Sequence, residues 1–176
     1  MEVEIREALC EDADRICEVN RQSIIQLDTD TYDEDQILAW ADAVEPGLYP
    51  IEAEDVKFFV AESLAGIVGI GWLKPDADEY FDAEVDGEIS GMYVHPDATG
   101  CGVGSKLCDH LEQVAPDHDV ESLGLWASLN AVSFYEKHGY SEVTEQSVPY
   151  GDTELSVVEM QKSLRSLDRP TASELS

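Results

Sequence analysis

Residues 94–106 read VHPDATGCGVGSK: a strand ended by His-Pro, glycines at 100, 102 and 104, and then an apolar helical pattern. A strand, a turn and a helix in direct succession place the helix against the sheet the chain has just left, the local unit of an α/β or α+β domain. The same geometry directs the unpaired N–H groups of the first helical turn, and the positive end of the helix dipole, at one spot. Such a spot is an anion cradle, most often for phosphate. A Walker loop does not fit, because Lys106 follows Ser105 and precedes Leu107. A dinucleotide fingerprint fits poorly, since Gly100, Gly102 and Gly104 give G-x-G-x-G deep in the chain and not near a first strand.

Hydrophobic periodicity extends this unit in both directions. Residues 3–6 alternate as a strand, and Ile16, Val19, Ile24 and Leu27 then recur at helical spacing. A second helix is expected over 32–43, capped by Asp33 and stopped before Pro46-Gly47. Residues 56–63 and 67–73 are β-rich runs around Leu64-Ala65-Gly66, the pattern of a hairpin. An acidic loop over 76–86 precedes a strand at 88–94, and Val103, Leu107, Leu111 and Val114 mark a helix to about 115. A strand at 122–126 follows, then a helix over 130–138 with Asn130 as N-cap and Gly139 in the C′ role. Two final strands are expected at 141–146 and 155–161, and a polar tail at 166–176. The order β-α-α-β-β-β-α-β-α-β-β describes one domain over 1–165, with one mixed sheet flanked by helices.

Charge narrows the function classes. The 176 residues hold 39 Asp and Glu against 10 Lys and Arg, a formal −29. Nucleic acid and anionic membranes would be repelled before contact, so neither is an expected partner. The acids run along the whole chain, which reads as a solvated coat suited to a cytoplasm of molar salt and a halophilic source. With 43% hydrophobic residues a packed core is still expected. Cys10, Cys17, Cys101 and Cys108 lack zinc-ligand spacing, so no metal is expected and the thiols read as reduced residues of a cytoplasmic protein. The N-terminus lacks a signal pattern, and no run approaches the length of a membrane span.

The neighbourhood MYVHP followed by GCGVGSKL resembles the acyl-CoA pyrophosphate loop of the GNAT superfamily of N-acetyltransferases, [QR]-x-x-G-x-[GA]. On that pattern Thr99 takes the Gln/Arg place, a departure, and Gly102 and Gly104 the two glycine places. A second segment, WASLNAVSFYEKHGY at 126–140, resembles the family's later strand and helix through Asn130, Phe134, Tyr135, Gly139 and Tyr140. The resemblance spans roughly residues 3–162. It implies a mixed, mostly antiparallel central sheet with about four helices, and acetyl-CoA as co-substrate held at Thr99, Gly100, Cys101, Gly102, Val103, Gly104 and Ser105.

The resemblance also implies a reaction: a primary amine attacks the thioester directly, and a tetrahedral intermediate expels CoA thiolate. Strand 88–94 is expected to splay from its neighbour, so that the backbone of Met92 and Val94 pairs with the pantetheine arm and an N–H near Met92 or Tyr93 polarises the carbonyl. Tyr135 is the expected acid, since a phenol can protonate a thiolate of similar basicity. Glu88 is the expected base, with His95 as rival and direct loss of the proton to water as the third route. Asn130 doubles as a ligand contact. Lys137, with His138 and Lys106, is the expected compensator of cofactor charge. Tyr32, Trp40, Tyr49 and Tyr150 are candidates for the acceptor pocket, or equally for the core or a homodimer contact. A non-catalytic acyl-CoA-binding module is the alternative function.

Overall fold

In the computed structural model, which describes residues 1–27 and 29–164, period-2 alternation builds the centre of the sheet. The elements in chain order are β1 (Glu4–Glu7), α1 (Ala13–Ile25), α2 (Glu34–Asp42), β2 (Lys57–Ser63), β3 (Gly66–Lys74), β4 (Gly87–Val94), α3 (Val103–Val114), β5 (Ser122–Ser128), α4 (Val132–Lys137), β6 (Ser141–Tyr150) and β7 (Thr153–Ser163). On β2, Phe58 and Val60 pack with Ile16 and Val19 of α1. The alternate residues Phe59 and Ala61 pack on the opposite side, with Leu111 and Leu107 of α3. Helices therefore cover both faces of one sheet, and burying both faces is why β2 and β3 read as near-continuous apolar runs.

The seven strands lie in the order β1-β2-β3-β4-β5-β7-β6, with every neighbouring pair antiparallel except β4–β5. This is the expected mixed, mostly antiparallel sheet with four helices. Asp33 caps α2 as its sequence position predicts: its carboxylate accepts the Gln36 N–H at 2.9 Å while the Gln36 side chain accepts the Asp33 N–H. Gly139, at φ +94°, ends α4, with the Tyr140 N–H donating to the Tyr135 carbonyl at 3.0 Å. Deeper in that region Lys162 of β7 pairs with Glu112 of α3 at 2.9 Å and donates to the His138 carbonyl, so one ammonium joins α3, α4 and β7.

Three expectations are corrected. The helix expected from Asn130 begins at Val132, after a 3-10 turn over Leu129–Ala131, and its N-cap is Ala131, without a side-chain bond. Tertiary contact overrides the capping signal, because the Tyr32 hydroxyl takes the Leu129 N–H at 2.9 Å. The last two strands are longer than their apolar cores, running to Tyr150 and from Thr153, and Pro149 is tolerated because β6 is an edge strand. The acidic loop is not merely solvated. Buried Glu159 accepts the N–H groups of Asp82 and Ala83, both at 2.9 Å, and buried Glu88 accepts that of Asp78 at 2.8 Å. Buried Phe81 stacks on Trp126 with centroids 4.9 Å apart. The expected tail at 166–176 lies outside the described residues.

Candidate active site

The β4–β5 ladder holds for three pairs, Gly87↔Leu123, Glu88↔Gly124 and Ile89↔Leu125, and then stops. On its other side β4 slips register against β3 at the same place, so that Ser90 has no opposite residue between Ile89 and Gly91. A bulge adds local twist and reverses the alternation of side chains. Ile89 and Met92, three apart, accordingly pack against the same cluster as α3. Beyond the bulge, β4 from Ser90 to Val94 leaves β5, as the sequence reading expected, and its backbone on that edge has no strand partner. Met92, Tyr93 and Val94 all lie in this opened segment.

The gap ends at the glycine loop. Gly100 and Gly102 have φ +79° and +83°, and Gly102 is the N-cap of α3. Among the described residues, the N–H groups of Gly102, Val103, Gly104 and Ser105 donate to no acceptor, while Cys101 donates to the Ala98 carbonyl. Four adjacent free amides at the start of a twelve-residue helix form an arrangement that suits an anion. Gly104 lies against Phe134 of α4: a Cβ added there would meet the ring at 3.4 Å. Thr99 is exposed, its hydroxyl 3.5 Å from the His95 carbonyl.

Between the splayed strands lies a cavity of about 420 Å³. Residues 89–93 and 125–128 form two of its walls, with Tyr135 beside them. Tyr32, Trp40 and Tyr150 close the far side, and Tyr80 of the acidic loop stands at its mouth, 75% exposed. None of the lining residues carries a formal charge, in a chain that is 28% charged. Tyr32 is fully engaged, donating to the Ser156 carbonyl and accepting from Leu129. The hydroxyls of Tyr93, Tyr135 and Tyr150 engage no acceptor among the described residues. Burial pushes the pKa of all three above the usual phenol range.

Glu88 does not line the cavity. Its carboxylate is buried behind Ser90, which does line it and donates to Glu88 Oε2 at 3.0 Å, with the Lys74 ammonium 3.9 Å from Oε1. Ser90 is not among the residues that the sequence reading singled out; Gly91, a glycine inside the strand EISGMYV, was the available signal for the bulge. His95 fits its turn role, Nδ1 accepting the Asp97 N–H at 3.1 Å. Asn130, freed from capping, is exposed. Lys137 and His138 line a shallow groove with Asp109 and Gln161, and His138 reaches the cradle only through Phe134, whose ring centroid is 4.4 Å away. Lys106 lies along another groove with Glu2, Glu4 and Glu62. The donors of the cradle are backbone N–H groups, and Lys106 and Lys137 each border a groove shared with carboxylates. Tyr80, Trp126 and Gln146 are cavity residues that the sequence reading passed over; an aromatic inside the acidic run was the available signal for the first.

Comparison with known proteins agrees with this geometry. Residues 54–142 match the family model of the acetyltransferase (GNAT) domain. A protein named IAA acetyltransferase from Azospirillum brasilense is 27% identical over 143 residues, covering 73% of this chain and 89% of that protein. A crystal structure from Rhodopseudomonas palustris, described as a GCN5-related N-acetyltransferase (Aminotransferase, Class-II), superposes with a TM-score of 0.81 at 32% identity, covering 93% of this chain and 97% of that one. The PaiA N-acetyltransferase of Thermoplasma acidophilum, solved with coenzyme A, shares the fold at a TM-score of 0.71 and 22% identity, over 93% and 99% of the two chains. Among the described residues no three His, Cys, Asp or Glu form a metal site, and no helix is long and apolar enough to cross a membrane.

Proposed function

The chain belongs to the GNAT acetyltransferases, acyltransferases that use acetyl-CoA, and on that premise we propose that it is an N-acetyltransferase in which a primary amine attacks the thioester directly, through a tetrahedral intermediate. The observation that carries the reading is the order along the chain: the segment of β4 that opens from β5 walls the cavity beside Tyr135 and leads into the loop with four free amides. The residues present fit acetyl-CoA: the amides of 102–105 suit its pyrophosphate, and the unpaired edge of 90–94 suits the amides of its pantetheine arm. When bound there it supplies an activated acetyl group at the cavity.

The chain's own residues then have distinct tasks. Backbone N–H groups in the opened part of β4 polarise the carbonyl, with no side chain required. Tyr135 stays protonated, because burial raises its pKa, and its hydroxyl donates a hydrogen bond to the departing sulfur, whose thiolate the same dry wall makes more basic than it is in water. The amine proton leaves through Ser90 Oγ to Glu88, which gives the expected base a route into a cavity it does not touch. Ser90→Ala tests this relay by thiol release from acetyl-CoA. Turnover is expected to fall about 10²-fold or more, the lower end of general-base effects, with acetyl-CoA affinity unchanged; wild-type turnover in Ser90→Ala removes Glu88 from the mechanism.

A further inference from the structure

Resting on the acetyltransferase reading, we propose that the acceptor is a primary amine carried on a neutral aromatic body, an arylalkylamine, and not a polyamine, an amino acid or another substrate with a second charge. Three observations point the same way. First, the acceptor side of the cavity is walled by Tyr32, Trp40, Tyr93, Trp126 and Tyr150 and holds neither a carboxylate for a second ammonium nor a cation for a carboxylate. A second charge would enter without a partner, which such a wall penalises steeply. Second, Tyr80 leaves most of its ring uncovered at the mouth, while its neighbour Phe81 is buried against Trp126 and the backbone at 82–83 is fixed by Glu159. Tyr80 thus lines the cavity with most of its ring open, next to fixed neighbours, and offers that ring to an aromatic acceptor. Third, the loop bearing Tyr80 also carries Asp76, Asp78, Glu79, Asp82, Glu84 and Asp86, which attract amines and repel a carboxylate, so that the rim selects against amino acids and the uncharged interior alone selects against a second ammonium.

The change from acidic rim to uncharged interior also prepares the nucleophile. An alkylammonium titrates near 10, as lysine does, and desolvation in a cavity without a counter-charge lowers that value. The ammonium loses one proton to water as it enters; the neutral amine bonds to the acetyl carbon to form the tetrahedral intermediate, one N–H proton passes to Glu88 through Ser90, and the C–S bond breaks as the intermediate collapses, the sulfur taking a proton on the Tyr135 side to leave as free thiol. Phenol hydroxyls at Tyr93 and Tyr150, which engage no acceptor among the described residues, suit a heteroatom or ring edge of the acceptor.

The test measures kcat/KM by thiol release for 2-phenylethylamine and tryptamine against phenylalanine, which differs from the first by one carboxylate, and against spermidine. The arylalkylamines are expected to lead by about 100-fold or more, and Gln146→Glu, which adds one carboxylate to the wall, to shift the ratio toward spermidine at least tenfold. Equal or better use of phenylalanine or spermidine overturns the proposal. So does thiol release that no arylalkylamine accelerates in protein that binds acetyl-CoA by calorimetry. Protein that is folded and binds no acetyl-CoA overturns the acetyltransferase reading itself, and the acceptor proposal with it.

Discussion

Tyr135 packs in the main core with Tyr140 and Leu125 and also borders the cavity, so packing and chemistry select the same ring. Its hydroxyl is the part the core does not explain. Tyr135→Phe keeps the ring and is expected to lower turnover by about 10²-fold or more while acetyl-CoA affinity stays near wild type, since only the transition state requires the proton. Wild-type turnover in the variant would leave Tyr135 a packing residue. The same burial sets an alkaline limit to stability. Tyr93 and Tyr135 titrate above their unfolded value near 10, chiefly through desolvation, so between the two values the native chain holds protons that the unfolded chain has lost. Tyr49 is pushed to about 12 by the same cause. The stability these phenols contribute is fully present below pH 10 and declines as pH rises through their folded values. Melting temperature is therefore expected to hold to about pH 10 and fall above it, less steeply in Tyr135→Phe; a flat profile to pH 11.5 would contradict the assigned burial.

The strand-loop-helix element around Gly102 stores its specificity in the backbone. A Cβ at Gly102 would meet no atom within 4 Å, so the obstacle to a side chain is φ +83° and not space. Left-handed backbone costs an ordinary residue about 1–2 kcal/mol, more when β-branched, which is small against a typical total of about 5–15 kcal/mol. Gly102→Val should remain folded but turn the peptide and misalign the amides of 103–105, lowering acetyl-CoA affinity at least tenfold by calorimetry. Unchanged affinity in the folded variant would place the donor elsewhere. This element was legible in the sequence because strand, glycines and helix are contiguous there, and local pattern likewise gave the order of the eleven elements and the Asp33 cap. What stayed hidden is long-range. The Ser90 bulge depends on register against β3, the Leu129 N–H is claimed by Tyr32 from 97 residues away, and the acidic loop is fixed by Glu159, 77 residues from Asp82. Glu159, which reads as coat in the sequence, and Glu88, the expected base, are thus both buried carboxylates that hold the loop beside the cavity.

At the scale of the molecule, the sign of charge works against the donor. A chain at −29 must collect a polyanion, and half of its eight described Lys and Arg are held in ion pairs: Arg6 with Asp12 and Glu62, Arg15 with Glu18, Lys74 with Glu88, Lys162 with Glu112. Lys106 runs beside Glu2, Glu4 and Glu62, and residues 99–105 contain no basic side chain. On the proposed reading, attraction at the cradle comes from amide dipoles in contact with the ligand, which salt screens little, whereas the repulsion comes from a far field of carboxylates, which salt screens strongly. The Debye length falls from about 10 Å at 0.1 M to about 3 Å at 1 M. Acetyl-CoA affinity is therefore expected to rise between about 0.1 and 2 M KCl, and the melting temperature with it, because crowded surface acids repel one another most in the compact state. The two measurements separate the causes. Rising stability with unchanged affinity would mean that the acidic coat lies too far from the cradle to be felt there. Affinity that falls steadily in folded protein would mean that side-chain cations hold the cofactor, and a cradle built from backbone amides alone would be the wrong account of this site.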